Sequence, residues 1–301
     1  MNGLPAAAHR VAVDIEEGVG AACGTFGELL QGVLPDGTAF LATLPISLGS
    51  RARFRYDRYG PLHVYPAHKT KSLTLARAML VAHGDGGGGT LLLDSDLLVG
   101  KGLASSSADL VATARGIGAA LGLDTSPTTV EDWLRPVEPT DGVMHAGVVV
   151  FEHRAVRLRA ALGALPPVTV VAVDEGGHVD TVGHNRRTRH VPPGLRREYA
   201  GLVDDLTRAV RNADLRAVGA VATRSAVLNQ YRLPKRNLDA MIGIAERVGA
   251  PGVVCTHSGT MLGLLLDSAA DGHRERFEAA RTACSLLPGT LAVYRSPAAD
   301  R

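Results

Sequence analysis

The segment Val99-Gly100-Lys101-Gly102-Leu103-Ala104-Ser105-Ser106-Ser107-Ala108-Asp109 brings glycines, a cation and three adjacent hydroxyls together just ahead of a helical pattern. This composition suits phosphate. The first backbone N–H groups of a helix have no partner within the helix, and the positive end of its dipole attracts anions. Glycines let the backbone approach the ligand, and Lys101 can act as a point charge. The competing reading is an ordinary helix start, with Ser105 or Ser106 as N-cap and the glycines as a turn. Two familiar phosphate frames fail. A P-loop lysine is followed by Ser or Thr and preceded at a fixed distance by Gly, whereas Gly102 follows Lys101 and Ser95 stands at the first glycine position. A dinucleotide fingerprint beginning at Gly100 meets Ser105 where its third glycine belongs.

The elements that must position this turn show in the periodicity. Val19 to Thr25, Thr38 to Leu44 and Arg51 to Tyr56 read as strands, the last alternating charged and apolar residues. Lys71 to His83 reads as a helix, and Gly84-Asp85-Gly86-Gly87-Gly88-Gly89 after it is expected to be a mobile surface loop. Thr90 to Leu93 is a short strand. Beyond the phosphate-like turn, Leu110, Ala114, Ile117 and Leu121 form one apolar stripe that Gly122 can end. A short helix over Val130 to Arg135 and a strand over Val148 to Phe151 follow. After the linker-like Gly163 to Pro167, strands are expected at Val168 to Val173, Gly252 to Cys255, Met261 to Leu266 and Thr290 to Tyr294. Helices are expected over Leu195 to Arg211, Asp214 to Leu228 and Arg236 to Val248, with one more before the last strand. The order is that of an α+β protein with helices packed on one face of a sheet.

Other segments hold reactive residue types. Gly24-Thr25-Phe26-Gly27-Glu28-Leu29-Leu30-Gln31-Gly32 places a carboxylate and an amide near a strand end. Glu138-Pro139-Thr140-Asp141-Gly142-Val143-Met144 has an aspartate that is either a turn residue or a base. Cys255-Thr256-His257-Ser258-Gly259-Thr260-Met261-Leu262-Gly263 joins two apolar runs, and Cys255 with His257 is a formal nucleophile pair lacking an elbow motif or an evident orienting acid. In Val179-Asp180-Thr181-Val182-Gly183-His184-Asn185-Arg186-Arg187 the arginines suit either a carboxylate ligand or a solvated turn.

Taken in order, these segments resemble the GHMP kinases (galacto-, homoserine, mevalonate and phosphomevalonate kinases). Gly102-Leu103-Ala104-Ser105-Ser106 follows their second motif, with Leu98 where the family has proline and Ala104 where it has glycine. The forms GKGxASS-x-AD, EPTD-G-x-M and HSGT, with the Gly24 to Gly32 stretch, are similar to the PduX-type L-threonine kinase branch. Phe26 stands where that branch has cysteine.

The resemblance implies an N-terminal ribosomal-S5-domain-2-like domain over 1–163 and a ferredoxin-like C-terminal domain over 164–301. It implies ATP held by Gly100, Lys101, Gly102, Leu103, Ala104, Ser105, Ser106 and Ser107, with His257, Ser258, Gly259 and Thr260 closing over the phosphates. Asp141 is implied as base, with Lys101 beside it in the catalytic role. Mg²⁺ would sit on Ser106 and a second acid, Glu131 or Glu138, of which Glu131 has the better spacing before Asp141. Glu28, Gln31, Asp141, Asn185 and Arg186 are implied as substrate contacts. The implied reaction is phosphorylation of the side-chain hydroxyl of a small amino acid, foremost L-threonine. A kinase for another hydroxylated amino acid or aminoalcohol and a non-catalytic nucleotide-binding regulator remain as alternatives.

Composition narrows the partners. In 301 residues, 46% apolar and 21% charged, Lys+Arg 32 against Asp+Glu 30 leaves no basic excess for nucleic acid. Only Lys69, Lys71, Lys101 and Lys235 are lysines, so one in a glycine turn stands out. Cys23, Cys255 and Cys284 are widely spaced and suggest neither a disulfide framework nor structural zinc, and a cytoplasmic setting is expected. No signal-peptide core opens the chain, and no apolar run approaches the ~18 residues of a membrane span. A homodimer is compatible with the chain but leaves no signature in it. The remaining histidines show no ligand spacing, and Trp133 reads as core packing.

Overall fold

The structure is a computed structural model that describes residues 16–84, 86–177 and 191–297. A long hairpin of β1 (Glu17–Val33) and β2 (Ala39–Asp57) dominates the first half. Its turn is closed by Asp36 Oδ1, which accepts the Thr38 N–H at 2.8 Å, and by Gly37 at φ +89°. From Arg51 to Tyr56 the alternation holds as expected: Arg51, Arg53 and Arg55 are exposed while Ala52, Phe54 and Tyr56 are buried. Then come β3 (Leu62–Tyr65), α1 (Thr70–His83), β4 (Gly88–Ser95), α2 (Ser105–Leu121), α3 (Pro127–Leu134), β5 (Val148–Glu152) and β6 (Arg157–Gly163). The second half runs β7 (Val168–Asp174), α4 (Pro193–Arg211), α5 (Leu215–Asn229), α6 (Leu238–Val248), β8 (Gly252–Cys255), β9 (Met261–Asp267), α7 (His273–Cys284) and β10 (Thr290–Arg295).

One ten-stranded sheet, ordered β10-β7-β9-β8-β1-β2-β4-β3 with β5 on β2 and β6 on β5, passes through both halves. The chain's two halves meet in it where Glu28 of β1 lies opposite Cys255 of β8. The expected division at 163/164 falls between β6 and β7. α2 lies across β1 and β2. It approaches so closely that a Cβ at Gly20 would stand 2.3 Å from Ala112 O and Gly116 N. α2 ends at Gly122, which takes the left-handed conformation at φ +65°. On β7 and β9 both faces are covered: Val170 and Leu265 join the large core with Phe26, Phe40 and Tyr199, whereas Val171, Val173 and Leu264 pack with Leu238 and Met241 of α6. Burial on both faces explains their continuous apolar runs.

The glycine run departs from expectation. Gly88 and Gly89 are buried residues of β4, opposite Asp57 and Tyr56, and a Cβ at Gly89 would lie 2.4 Å from Arg55 O. The glycines there permit close strand contact rather than a loop. The strands β3 and β6 were not read from the sequence.

Candidate active site

β1 is irregular between Cys23 and Leu30, and Gly27 takes φ +52° where a Cβ would come within 2.5 Å of Cys255 O. In this bulged stretch Glu28 lies between β2 and β8, opposite both Thr43 and Cys255, and reaches the wall of a cavity of about 670 Å³. The same stretch is tied to the phosphate-like turn, since Thr25 N–H donates to Leu103 O at 3.2 Å and Gly27 N–H to Gly102 O at 3.0 Å.

The turn itself does not cap its helix with a side chain. Ala104 occupies the N-cap position at φ +57°, ψ +29°, Ser105 is already helical, and no side-chain oxygen caps the first turn. Gly100 and Gly102 have φ of +74° and +82°. The amides that open α2 therefore face the cavity, which Gly100, Gly102, Leu103, Ala104, Ser105, Ser106 and Ser107 line. The competing reading of Ser105 or Ser106 as N-cap fails: Ala104 holds that position, and the Ser106 hydroxyl has another partner.

Ser106 Oγ donates to Glu138, and Lys71 Nζ lies on the same carboxylate and 3.3 Å from Ser106 Oγ. Beside them Ser107 Oγ donates to Asp141 Oδ2 at 3.1 Å and accepts the Asp141 N–H at 3.1 Å. Burial raises the pKa of Asp141 to about 7, with the nearby Glu28 and Glu138 carboxylates adding to the rise and the Ser107 hydroxyl opposing it. Thr140 and His153 complete this wall, each almost fully buried and each with one polar atom, Oγ1 and Nδ1, lacking a hydrogen-bond partner. Burial and the nearby Arg154 and Arg232 charges push the His153 pKa down to about 3, so its ring is neutral. Lys69 pairs with Asp109 Oδ2 at 2.5 Å, and Asp109 Oδ1 accepts from Ser50 Oγ at 2.7 Å.

Several expected site residues sit elsewhere. Lys101 turns its ammonium away from the cavity lining to Asp174, at 2.7 Å, and to the Gly177 carbonyl, at 2.9 Å. Burial works against the Asp174 charge, but hydrogen bonds from Lys101, Thr260 and the Gly176 amide outweigh it and hold its pKa below the ordinary value. Glu131 is no neighbour of Ser106; its Oε1 accepts the Leu158 N–H at 2.9 Å and lies 2.7 Å from His145 Nε2, so Glu138 alone of the two acids is at the hydroxyl. Gln31 is buried outside the lining, and its amide oxygen lacks a partner. Of the loop residues only Ser258 lines the cavity. His257 is turned inward to Glu28, Gly259 packs on the phosphate turn with its would-be Cβ 2.0 Å from Lys101 O, and Thr260 Oγ1 donates to Asp174 at 2.5 Å. The Cys255/His257 pair is buried at 1% and 2% exposure, so it is no open nucleophile. Asn185, Arg186 and the rest of 179–187 lie outside the described residues.

Lys69, Lys71, Asp109, Thr140 and His153 were not assigned to the site from the sequence. The usable signal was lysine scarcity: Lys69 and Lys71 line the cavity, Lys101 abuts it, and Lys235 donates to Gly259 O in the loop against the phosphate turn. Among the described residues no cluster of three or more His, Cys, Asp or Glu could hold a metal by itself. An oxygen pair such as Ser106 and Glu138 still suits Mg²⁺, which retains waters and shares phosphate oxygens.

Comparison with known proteins agrees with this fold. Residues 70–151 match the GHMP kinases N-terminal domain. The chain is 26% identical over 258 residues to the L-threonine kinase of Citrobacter freundii, covering 80% of this chain and 83% of that protein. It is 29% identical over 202 residues to the L-threonine kinase of Salmonella typhimurium, covering 66% and 63%. Among solved structures, homoserine kinase from Cytophaga hutchinsonii superposes with a TM-score of 0.70 at 15% identity over 98% of this chain and 97% of that one. Lactococcus lactis galactokinase complexed with galactose gives 0.68 at 9% identity, covering 94% of each. Residues 70–151 thus carry a GHMP kinase N-terminal domain, the chain as a whole has the GHMP kinase fold, and its sequence is similar to those of L-threonine kinases.

Proposed function

We propose that the protein is an ATP-dependent small-molecule kinase that phosphorylates the side-chain hydroxyl of L-threonine, working in the cytoplasm on a small acceptor rather than on nucleic acid. The observation that carries this reading is the start of α2: amides without a side-chain cap, in a left-handed glycine turn, open onto a cavity that also holds Ser106, Glu138 and Asp141. Phosphoryl transfer requires anion-binding amides, oxygen ligands for a divalent cation, and a base for the acceptor hydroxyl. The two L-threonine kinase relatives support the choice of acceptor. The nucleotide side of the cavity would be formed by 100–107 with Lys69 and Lys71, and the acceptor side by Glu28, Thr140, Asp141 and His153. The segments 1–163 and 164–301 would form the two domains, with Asn185 and Arg186 as further acceptor contacts.

Ser106 and Glu138 would hold Mg²⁺ together with phosphate and water oxygens. When bound, the ion neutralises charge on the terminal phosphates. Asp141 takes the acceptor proton on Oδ1 or Oδ2, and a pKa near 7 fits a base working near neutrality. Lys101, held on Asp174, braces the turn against the C-terminal half in this geometry.

ADP formation with Mg²⁺-ATP should be measured against L-threonine, L-serine, L-homoserine and ethanolamine. The expected result is the highest kcat/KM on L-threonine, with O-phospho-L-threonine identified by phosphorus NMR. A higher value on another acceptor moves the assignment to that compound. Binding of ATP with turnover of none of them would leave a nucleotide-binding regulator and end the kinase reading.

A further inference from the structure

Glu28 has two carboxylate oxygens in different surroundings. Oε2 accepts the His257 N–H at 3.1 Å and lies 2.9 Å from His257 Nδ1. The far side of the ring is also occupied: Nε2 is 2.7 Å from Ser225 Oγ of α5, which accepts the Gln31 N–H at 3.2 Å. Asn229, one turn further along α5, donates to the His257 carbonyl at 3.3 Å. Ser225 and His257 are 1% and 2% exposed and are not among the residues that line the cavity, whereas Glu28 is.

Serine, imidazole and carboxylate in hydrogen-bonded order resemble a nucleophile relay. Here the serine end is sealed inside the protein, so no acyl or phosphoryl group can reach it. The open end is the carboxylate. We propose that His257 is a positioning residue: braced by Ser225 and Asn229, it clamps Oε2 of Glu28 and leaves Oε1 facing the cavity as a fixed receptor for the ammonium group of the acceptor. This inference rests on the acceptor being an amine-bearing alcohol, as proposed above.

The physical advantage is pre-organisation. A carboxylate held by two hydrogen bonds has little rotamer freedom left to lose when a ligand binds. Burial disfavours an imidazolium at His257, but the Cys255 sulfur at 3.7 Å and the Glu28 carboxylate outweigh it, and the ring's pKa rises to about 9, so the contact on Oε2 is a charge-assisted hydrogen bond. The array crosses the molecule from α5 through the loop after β8 to β1, so the acceptor pocket depends on both halves.

Steady-state kinetics of H257A, H257N and S225A test the clamp, with thermal melts to verify folding. H257A should raise the KM for L-threonine by about ten- to a hundredfold, the loss of a charge-assisted hydrogen bond, and leave the KM for ATP unchanged. H257N should recover most of this, because its amide nitrogen can reach the place of Nδ1. S225A should act in the same direction more weakly. The preference for L-threonine over 3-hydroxybutyrate, the same hydroxy acid without its amine, should shrink in H257A. Equal rises in both KM values, an unchanged KM for L-threonine, or no recovery in H257N would overturn the clamp while the kinase reading stood. Failure of the wild-type protein to use any amine-bearing acceptor would instead remove the kinase reading, and the clamp with it.

Discussion

Asp141 has the most consequential environment of any residue in the cavity. Its pKa of about 7 means that it is part-protonated at neutral pH, and as the proposed base it would act only when unprotonated. The kcat/KM for the acceptor is therefore expected to rise with pH through about 7 and then level off. D141N should lower kcat by about 10²- to 10⁴-fold while ADP still binds, as titration calorimetry can measure. The same residue affects stability. Its folded pKa lies above its ordinary 3.8, so the folded state holds the proton more tightly and loses stability as pH rises from about 4 to about 7. D141N removes that loss, and its melting temperature should exceed that of the wild type at pH 8 and approach it near pH 4. Glu131 and Glu138 separate in the same way by location. E138Q should raise the Mg²⁺ concentration needed for half-maximal turnover. E131Q should cost about 1–3 kcal/mol of stability through the Leu158 and His145 partners, without changing the Mg²⁺ requirement.

Among the elements, the start of α2 and the loop after β8 act as a pair. Gly102 and Gly259 pack backbone against backbone: a Cβ at Gly102 would lie 3.2 Å from Gly259 Cα, and one at Gly259 would lie 2.6 Å from Gly102 N and 2.0 Å from Lys101 O. G259A should therefore push the loop off the phosphate turn, lowering stability by about 1–3 kcal/mol, seen in melts, and weakening nucleotide binding, seen by ADP titration. Most elements were legible because their apolar spacing is regular; α1 and α4 to α6 lie within two residues of expectation, and α2 ends at Leu121, where its stripe ends. β6 escaped because Arg157-Leu158-Arg159-Ala160-Ala161 is mostly polar or small on an edge. The glycine run misled because flexibility in a free chain and close approach in a sheet call for the same residue. That Gly88 and Gly89 have Asp57 and Tyr56 opposite them is a long-range fact.

At the scale of the whole molecule, one core runs from Phe54 and Met79 in the first half to Val170, Tyr199 and Tyr294 in the second. The Lys101–Asp174 pair and the Glu28–His257–Ser225 array add polar links between the halves. Shared burial of this kind couples unfolding. Calorimetry is expected to show one transition with equal calorimetric and van't Hoff enthalpies. Two resolved transitions would mean that the halves unfold independently.

Local chemistry was readable from residue order alone. The glycine-lysine-serine turn, the stripe of α2, the Glu28 and Asp141 motifs and the near-neutral charge are all set by neighbours within a few positions, where backbone geometry and periodicity act. Which side chains meet was decided by the tertiary structure. Lys69 and Lys71 joined the site, Lys101 and His257 turned from it, and Glu138 rather than Glu131 reached Ser106. Such choices depend on contacts between residues tens to hundreds of positions apart. They are made when burial forces every charge and hydroxyl to find a partner, a condition that exists only in the packed protein.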